Sequence, residues 1–119
     1  MIVAFLHVGD DVCLPTLMVR SVRRYMPRAV VLHMTDHATP DVPGVDRRQE
    51  LDYDGERLMT YRLAHMAKLE GEVLALDTDI LVQADLSTVF EREFDVALTK
   101  REGMILYGGK DIVKDMPIN

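Results

Sequence analysis

The chain has 119 residues, 48% hydrophobic and 29% charged, which fits one small globular domain with a modest core. Its formal charge of −6 argues against nucleic acid as a main partner, because phosphate backbones select basic surfaces. A single cysteine, Cys13, excludes an internal disulfide and suits a reducing compartment.

The opening apolar run Ile2 to His7 has no basic segment before it and no small-residue cleavage site after it, so no secretory signal is expected. No stretch approaches the ~20 apolar residues of a membrane helix. The expectation is therefore a cytoplasmic single domain over residues 1–119, without repeats, low-complexity tracts or linkers.

Ile2 to His7 reads as a strand buried on both faces, ended by Gly9-Asp10-Asp11. Cys13 follows, and a small buried hydrophobe is the plainer reading of it. Leu14, Met18, Val22 and Tyr25 then recur at near-helical spacing, with Arg20, Arg23 and Arg24 outside. Pro15 suits the first turn of that helix and Pro27 ends it. Ala29 to Met34 is a second apolar strand closed by Thr35-Asp36-His37, and residues 38–55 read as loop. Within that loop Asp54 is expected to cap or open the next helix.

Glu56 to Leu69 is the second expected helix. Leu58, Met59, Leu63, Met66, Ala67 and Leu69 share one wide arc, and Arg57, Tyr61, His65 and Lys68 lie opposite. Val73 to Leu76 is a third strand, and Asp85 caps a short helical turn over Leu86 to Phe90. Phe94 to Thr99 reads as a fourth strand. Met104 to Val113, interrupted by Gly108-Gly109, reads as a two-residue hairpin. Alternating strands and helices predict a doubly wound, mostly parallel α/β sheet. Ligands of such sheets bind outside the carboxyl ends of the strands. There the sequence puts His7 with Asp10, Asp36 with His37, and Asp77 with Asp79.

Asp77 and Asp79 stand two apart behind an apolar strand, a spacing that puts both on one strand face. At roughly 5 Å and an effective dielectric of about 20 they repel by ~3 kcal/mol, which a shared cation would relieve. The apolar Ile80-Leu81-Val82 that follows points to an ordered element around them. Two carboxylates without cysteine suit a hard ion, Mg²⁺ or Mn²⁺, completed by water and phosphate oxygens. Arg62 falls inside the apolar arc of its helix. Three readings stand there: a stem laid on the core, an ion pair with Asp77 or Asp79, or a fork for an anionic ligand. His33 reads as a core histidine and His65 as solvent-facing. Glycine-rich phosphate loops and Ser-His-Asp or Cys-His sets are absent from the sequence.

Residues 73 to 90, Val-Leu-Ala-Leu-Asp77-Thr-Asp79-Ile-Leu-Val-Gln-Ala-Asp85-Leu-Ser-Thr-Val-Phe, resemble the DxD region of GT-A-fold glycosyltransferases. They are most similar to glycosyltransferase family 8, the glycogenin and lipopolysaccharide galactosyltransferase type. The resemblance implies a Rossmann-like sheet with flanking helices and a nucleotide-sugar donor, usually a UDP-sugar, with an acceptor the sequence does not name. It implies Asp77 and Asp79 as ligands of Mn²⁺ or Mg²⁺ that bridges the donor diphosphate. Arg62 matches the basic donor contact on the helix before the motif, and Thr78 lies within the motif. His7, Val8, Gly9 and Asp10 fall where the nucleoside is held, and Asp36 joins them by location. Such domains run to about twice this length, so the resemblance covers the donor half, and a retaining transfer is implied for an intact relative. Two other readings remain: a nucleotide-sugar-binding module without turnover, and a haloacid-dehalogenase-type phosphotransferase with Asp77 as nucleophile. The latter's motif normally lies near the chain start and is followed by Gly-Thr rather than Ile80-Leu81.

Overall fold

The structure, a computed structural model, describes residues 1–53 and 56–97 and the backbone of residues 106, 107, 110 and 111. Four strands form one parallel sheet: β1 (Ile2–Leu6), β2 (Val30–Thr35), β3 (Arg47–Glu50) and β4 (Val73–Ala75). Their order is β3-β2-β1-β4, with Ile2 opposite Val30 on one side of β1 and opposite Val73 on the other. The chain starts in the middle of the sheet, builds outward to β3, and returns past β1 to add β4. This is the α/β, doubly wound arrangement that the alternation of elements predicts.

The two faces of β1 and β2 carry separate cores because successive side chains alternate. Val3, Phe5 and Val31 join Met18, Val19 and Val22 of helix α1 (Cys13–Tyr25) on one face. Ala4, Leu32 and Met34 form the other, against which Met66 and Leu69 pack. Met18, Val19 and Val22 are fully buried, each stabilising the fold by roughly 1.5–3 kcal/mol relative to exposure. The ends of the predicted α1 stripe do not follow: Leu14 and Tyr25 are exposed. Met26, just before Pro27, leaves helical dihedrals as expected. Cys13, expected buried, is exposed, because the inward face of α1 runs through Pro15, Met18, Val19 and Val22.

Strand β3 lies where the sequence reads as loop. Arg47-Arg48-Gln49-Glu50 has no apolar member, yet it pairs parallel with Leu32 to Thr35. An edge strand needs only its backbone ladder on one side, and charged side chains there discourage further pairing. The connection from β2 crosses the α1 face, where Val42 is buried and Val45 packs against the core. Arg23 fastens it. Its Nε and Nη2 donate to the Gly44 carbonyl at 2.9 and 2.7 Å, its Nη1 to the Ala29 carbonyl at 2.8 Å, and Nη2 also to Asp46. The same Asp46 oxygen accepts the Val31 amide at 2.7 Å, so one arginine joins α1, the start of β2 and the approach to β3. Arg23, with the Val31 amide, holds the Asp46 carboxyl below the usual carboxylate range.

Helix α2 (Leu58–Met66) is shorter than predicted and has no buried residue. Of its apolar arc only Met66, with Leu69 beyond its end, reaches the core. Leu58, Met59 and Leu63 are 39%, 62% and 65% exposed, and Tyr61 and His65, expected in solvent, are half-buried with ring centroids 4.4 Å apart. A nine-residue helix is marginal by itself, so its C-terminal anchor and side-chain contacts set its pose. The expected role of Asp54 at its start lies outside the described residues.

Asp85 Oδ1 accepts the Ser87 amide at 2.9 Å and heads a 3-10 turn over Ser87–Glu91, one residue later than predicted. Ser87, chiefly through that amide, lowers the Asp85 pKa. Phe94 to Ala97 form no strand, contrary to expectation; Phe94 and Val96 are exposed with no neighbouring ladder, and Leu98 and Thr99 lie outside the described residues. Strands β5 (Leu106–Tyr107) and β6 (Lys110–Asp111) pair antiparallel, the hairpin predicted around Gly108-Gly109, whose turn lies outside the described residues.

Gly44 has φ +87°, and a Cβ built there would stand 3.0 Å from Val19 Cγ1. Both the left-handed backbone and the contact with a fully buried valine penalise a side chain. Gly44→Ala is expected to destabilise the fold by about 1–2 kcal/mol, measured as a lower urea midpoint at unchanged m-value.

Candidate functional site at the carboxyl edge of the sheet

Strand β4 ends at Ala75, so Asp77 and Asp79 do not sit on a strand. Leu76 still donates its amide to the Ala4 carbonyl at 3.0 Å, and a turn follows in which the Ile80 amide reaches the Asp77 carbonyl at 3.2 Å. Leu76 and Val82 are both buried in the α1-side core, and the Val82 amide donates to Ser21 Oγ at 2.9 Å. The Ser21 hydroxyl in turn donates to the Met18 carbonyl at 2.7 Å. The acidic turn is therefore a short loop clamped at both feet. The order predicted around the two acids is present, supplied by buried flanks and a serine on α1 rather than by a strand.

Asp77, Thr78 and Asp79 line one cavity of about 370 Å³ together with Arg62, Leu6, Leu14, Leu58 and Met59. Leu6 ends β1, Leu14 belongs to the first turn of α1, and the other three come from α2. The cavity thus sits at the carboxyl ends of β1 and β4, where an open parallel sheet receives ligands. Of the readings open for Arg62, the ion pair is present: Arg62 Nη1 donates to Asp77 Oδ1. The Arg62 side chain is only 18% exposed while Asp77 is 56% exposed, so the guanidinium reaches from under α2 to an outward-facing carboxylate. A slightly larger cavity, about 420 Å³, lies at the amino ends of β1 and β2 between Met1, Pro27, Arg28, Ala29, Asp85 and Ser87. Its one carboxylate already accepts the Ser87 amide, whereas the smaller cavity gathers two carboxylates and a guanidinium.

The strand ends do not all converge there. His7 turns inward: its ring lies 6.3 Å from that of His33, and its Nε2 is buried with no hydrogen-bond partner among the described residues. Val8 and Gly9 are half-buried and Asp10 exposed; Gly9, with φ +135°, donates its amide to Thr39 Oγ1 at 2.9 Å. Asp36 is committed locally, accepting the Thr39 hydroxyl at 2.6 Å and the Thr39 amide at 2.8 Å. Those bonds, the hydroxyl first, hold its carboxyl below the usual range. Arg48 caps the same loop, donating to the Asp36 and Thr39 carbonyls at 2.9 Å each and to Asp41 at 3.0 Å. His37 is 95% exposed and pairs with Glu50 at 3.1 Å, the contact that most lowers the Glu50 pKa.

Thr39, Arg48 and the apolar wall Leu6, Leu14, Leu58 and Met59 were not among the residues expected at the edge. An acid three positions before a threonine is the pattern of a side chain bonding its own loop, and it marks Thr39 in the sequence. The wall is invisible there, because its residues come from elements far apart in the chain. Among the described residues no group of three or more His, Cys, Asp or Glu side chains gathers to hold a metal. The donor set facing the cavity is two aspartates. Hard oxygen donors with the rest of the shell open fit a divalent ion that keeps water or takes phosphate oxygens. No described helix is long and apolar enough to cross a membrane.

No known family profile matches the chain, and no curated protein matches its sequence.

His33 lies beneath this edge, 1% exposed and stacked on Phe5 with centroids 4.6 Å apart. Its Nε2–H donates to the His7 carbonyl at 3.2 Å. Burial is the main force that lowers its pKa from 6.5 to about 4. The unfolded chain therefore binds a proton below pH 6.5 that the folded chain refuses until about pH 4. Stability is full above pH 6.5 and falls as the pH drops toward 4, by roughly 3 kcal/mol from this group. Urea unfolding over that range is expected to show the slope in the wild type and to lose most of it in His33→Gln.

Proposed function

We propose that the chain binds a nucleoside-diphosphate sugar, a UDP-sugar by its resemblance, and belongs to a metal-dependent glycosyltransferase of the GT-A type. The observation that carries the reading is the placement of Asp77, Thr78, Asp79 and Arg62 on one cavity at the carboxyl edge of a parallel sheet. Asp77 and Asp79 would hold Mn²⁺ or Mg²⁺. Such an ion, when bound, neutralises charge that grows on a departing diphosphate.

The chain's own contributions follow from its geometry. The two carboxylates are presented outward from a loop whose feet are buried, so their positions are set before a ligand arrives. Arg62 offers a planar fork suited to phosphate oxygens. His7 to Asp10 follow Leu6, the wall that β1 gives the cavity, and would meet the nucleoside by that position, as the resemblance implies. Asp36 serves this region indirectly, by fixing Thr39, which accepts the Gly9 amide. Leu14, Leu58 and Met59 give the cavity an apolar side next to the acids.

Calorimetry with UDP and UDP-sugars, with and without Mn²⁺, tests the reading on the wild type and on Asp79→Ala. Metal-dependent UDP binding that Asp79→Ala abolishes is the expected result, with unchanged far-UV circular dichroism as the control for folding. UDP affinity that is the same in the presence of chelator would sink the donor-site reading. Binding of UDP and metal without release of sugar from any UDP-sugar would make the chain a binding module instead.

A further inference from the structure

We propose that Arg62 is a built-in counter-ion that competes with the divalent cation for Asp77, so that cation and anionic ligand favour the same rearranged state. This rests on the reading of Asp77 and Asp79 as the cation ligands. The cavity carries two carboxylates and one guanidinium, and the guanidinium is placed on one of the carboxylates. Among the described residues no ion pair reaches Asp79, and no second basic side chain lines the cavity. A cation bridging both acids must therefore share Asp77 with a positive charge or displace it.

The balance is shallow. An ion pair with its carboxylate more than half exposed biases its two states by no more than about fivefold. A phosphate or diphosphate offers the same guanidinium a bidentate partner. An anion that draws Arg62 off Asp77 frees that carboxylate for the cation, and by linkage the cation frees Arg62 for the anion to the same extent. Its helix neighbours Leu58, Met59 and Leu63 are not buried against the sheet, and α2 is held at its far end, at Met66.

Mn²⁺ alone is the probe, with free ion counted by electron paramagnetic resonance. Arg62→Gln is expected to bind Mn²⁺ about tenfold tighter than the wild type, from loss of the competing pair and of a like charge beside the ion. Arg62→Lys, which keeps the charge, is expected to stay within about threefold of the wild type. In the wild type, Mg²⁺ should shift the Arg62 Nε–H resonance in a nitrogen-15 correlation spectrum, and Asp79→Ala should remove that shift. Equal Mn²⁺ affinity in wild type and Arg62→Gln, both sensitive to Asp79→Ala, overturns the competition and leaves the cation site standing. An unmoved Arg62 signal at saturating Mg²⁺ overturns it as well. No Mn²⁺ binding by any of the proteins overturns both the competition and the cation site.

Discussion

Strand β1 is enclosed on four sides: β2 and β4 lie along its edges, α1 covers one face and the Met66 end of α2 meets the other side of the sheet. Its side chains Val3, Ala4 and Phe5 are wholly buried, so the strand has no freedom to slide without exposing one core and overfilling the other. Several groups at the carboxyl edge are referred to it. Leu76 hangs from the Ala4 carbonyl, Leu6 forms a wall of the acidic cavity, and the His7 carbonyl accepts a hydrogen bond from the His33 Nε2–H. Positional accuracy at the cavity is therefore inherited in part from the sheet centre and in part from the Ser21 clamp on α1.

An acidic chain of this size spends many of its carboxylates on architecture. Asp46 answers Arg23 and a backbone amide, Asp36 closes its own loop through Thr39, and Asp85 starts a helical turn. Each of these three is held by donors within the fold, and each has its carboxyl pKa lowered. Asp77 and Asp79 differ in kind: both stand at a cavity, outward from the sheet, and the contact at Asp77 comes from a long side chain that can move away. That division separates acids that build the loops from acids available to a ligand.

The parts of this fold that the sequence discloses are those governed by apolar runs. Strands β1, β2 and β4 and the middle of α1 follow from continuous or periodic hydrophobicity, and the paired acids follow from their place behind such a run. Strand β3 escapes because Arg47-Arg48-Gln49-Glu50 contributes only backbone to the sheet, and backbone pairing leaves no mark in side-chain pattern. The orientation of α2 escapes for the opposite reason. Its apolar arc is plain, but a helical wheel does not say which part of an arc finds the sheet, and only Met66 does. The two aspartates share a cavity through a tight turn, not through strand alternation, so the expected meeting came about by a different geometry. The committed role of Asp36 was hidden by Thr39, three residues on.

Cys13 gives the cavity an experimental address. The only thiol in the sequence is exposed and precedes Leu14, one of the cavity's apolar walls. Its backbone is fixed by the Asp11 carboxylate, which accepts the Cys13 amide at 2.9 Å. A maleimide dye or spin label reacts there once per chain, one residue before a wall of the acidic cavity. The unaltered protein is in this way ready for optical and magnetic measurement of what enters beside Asp77 and Asp79.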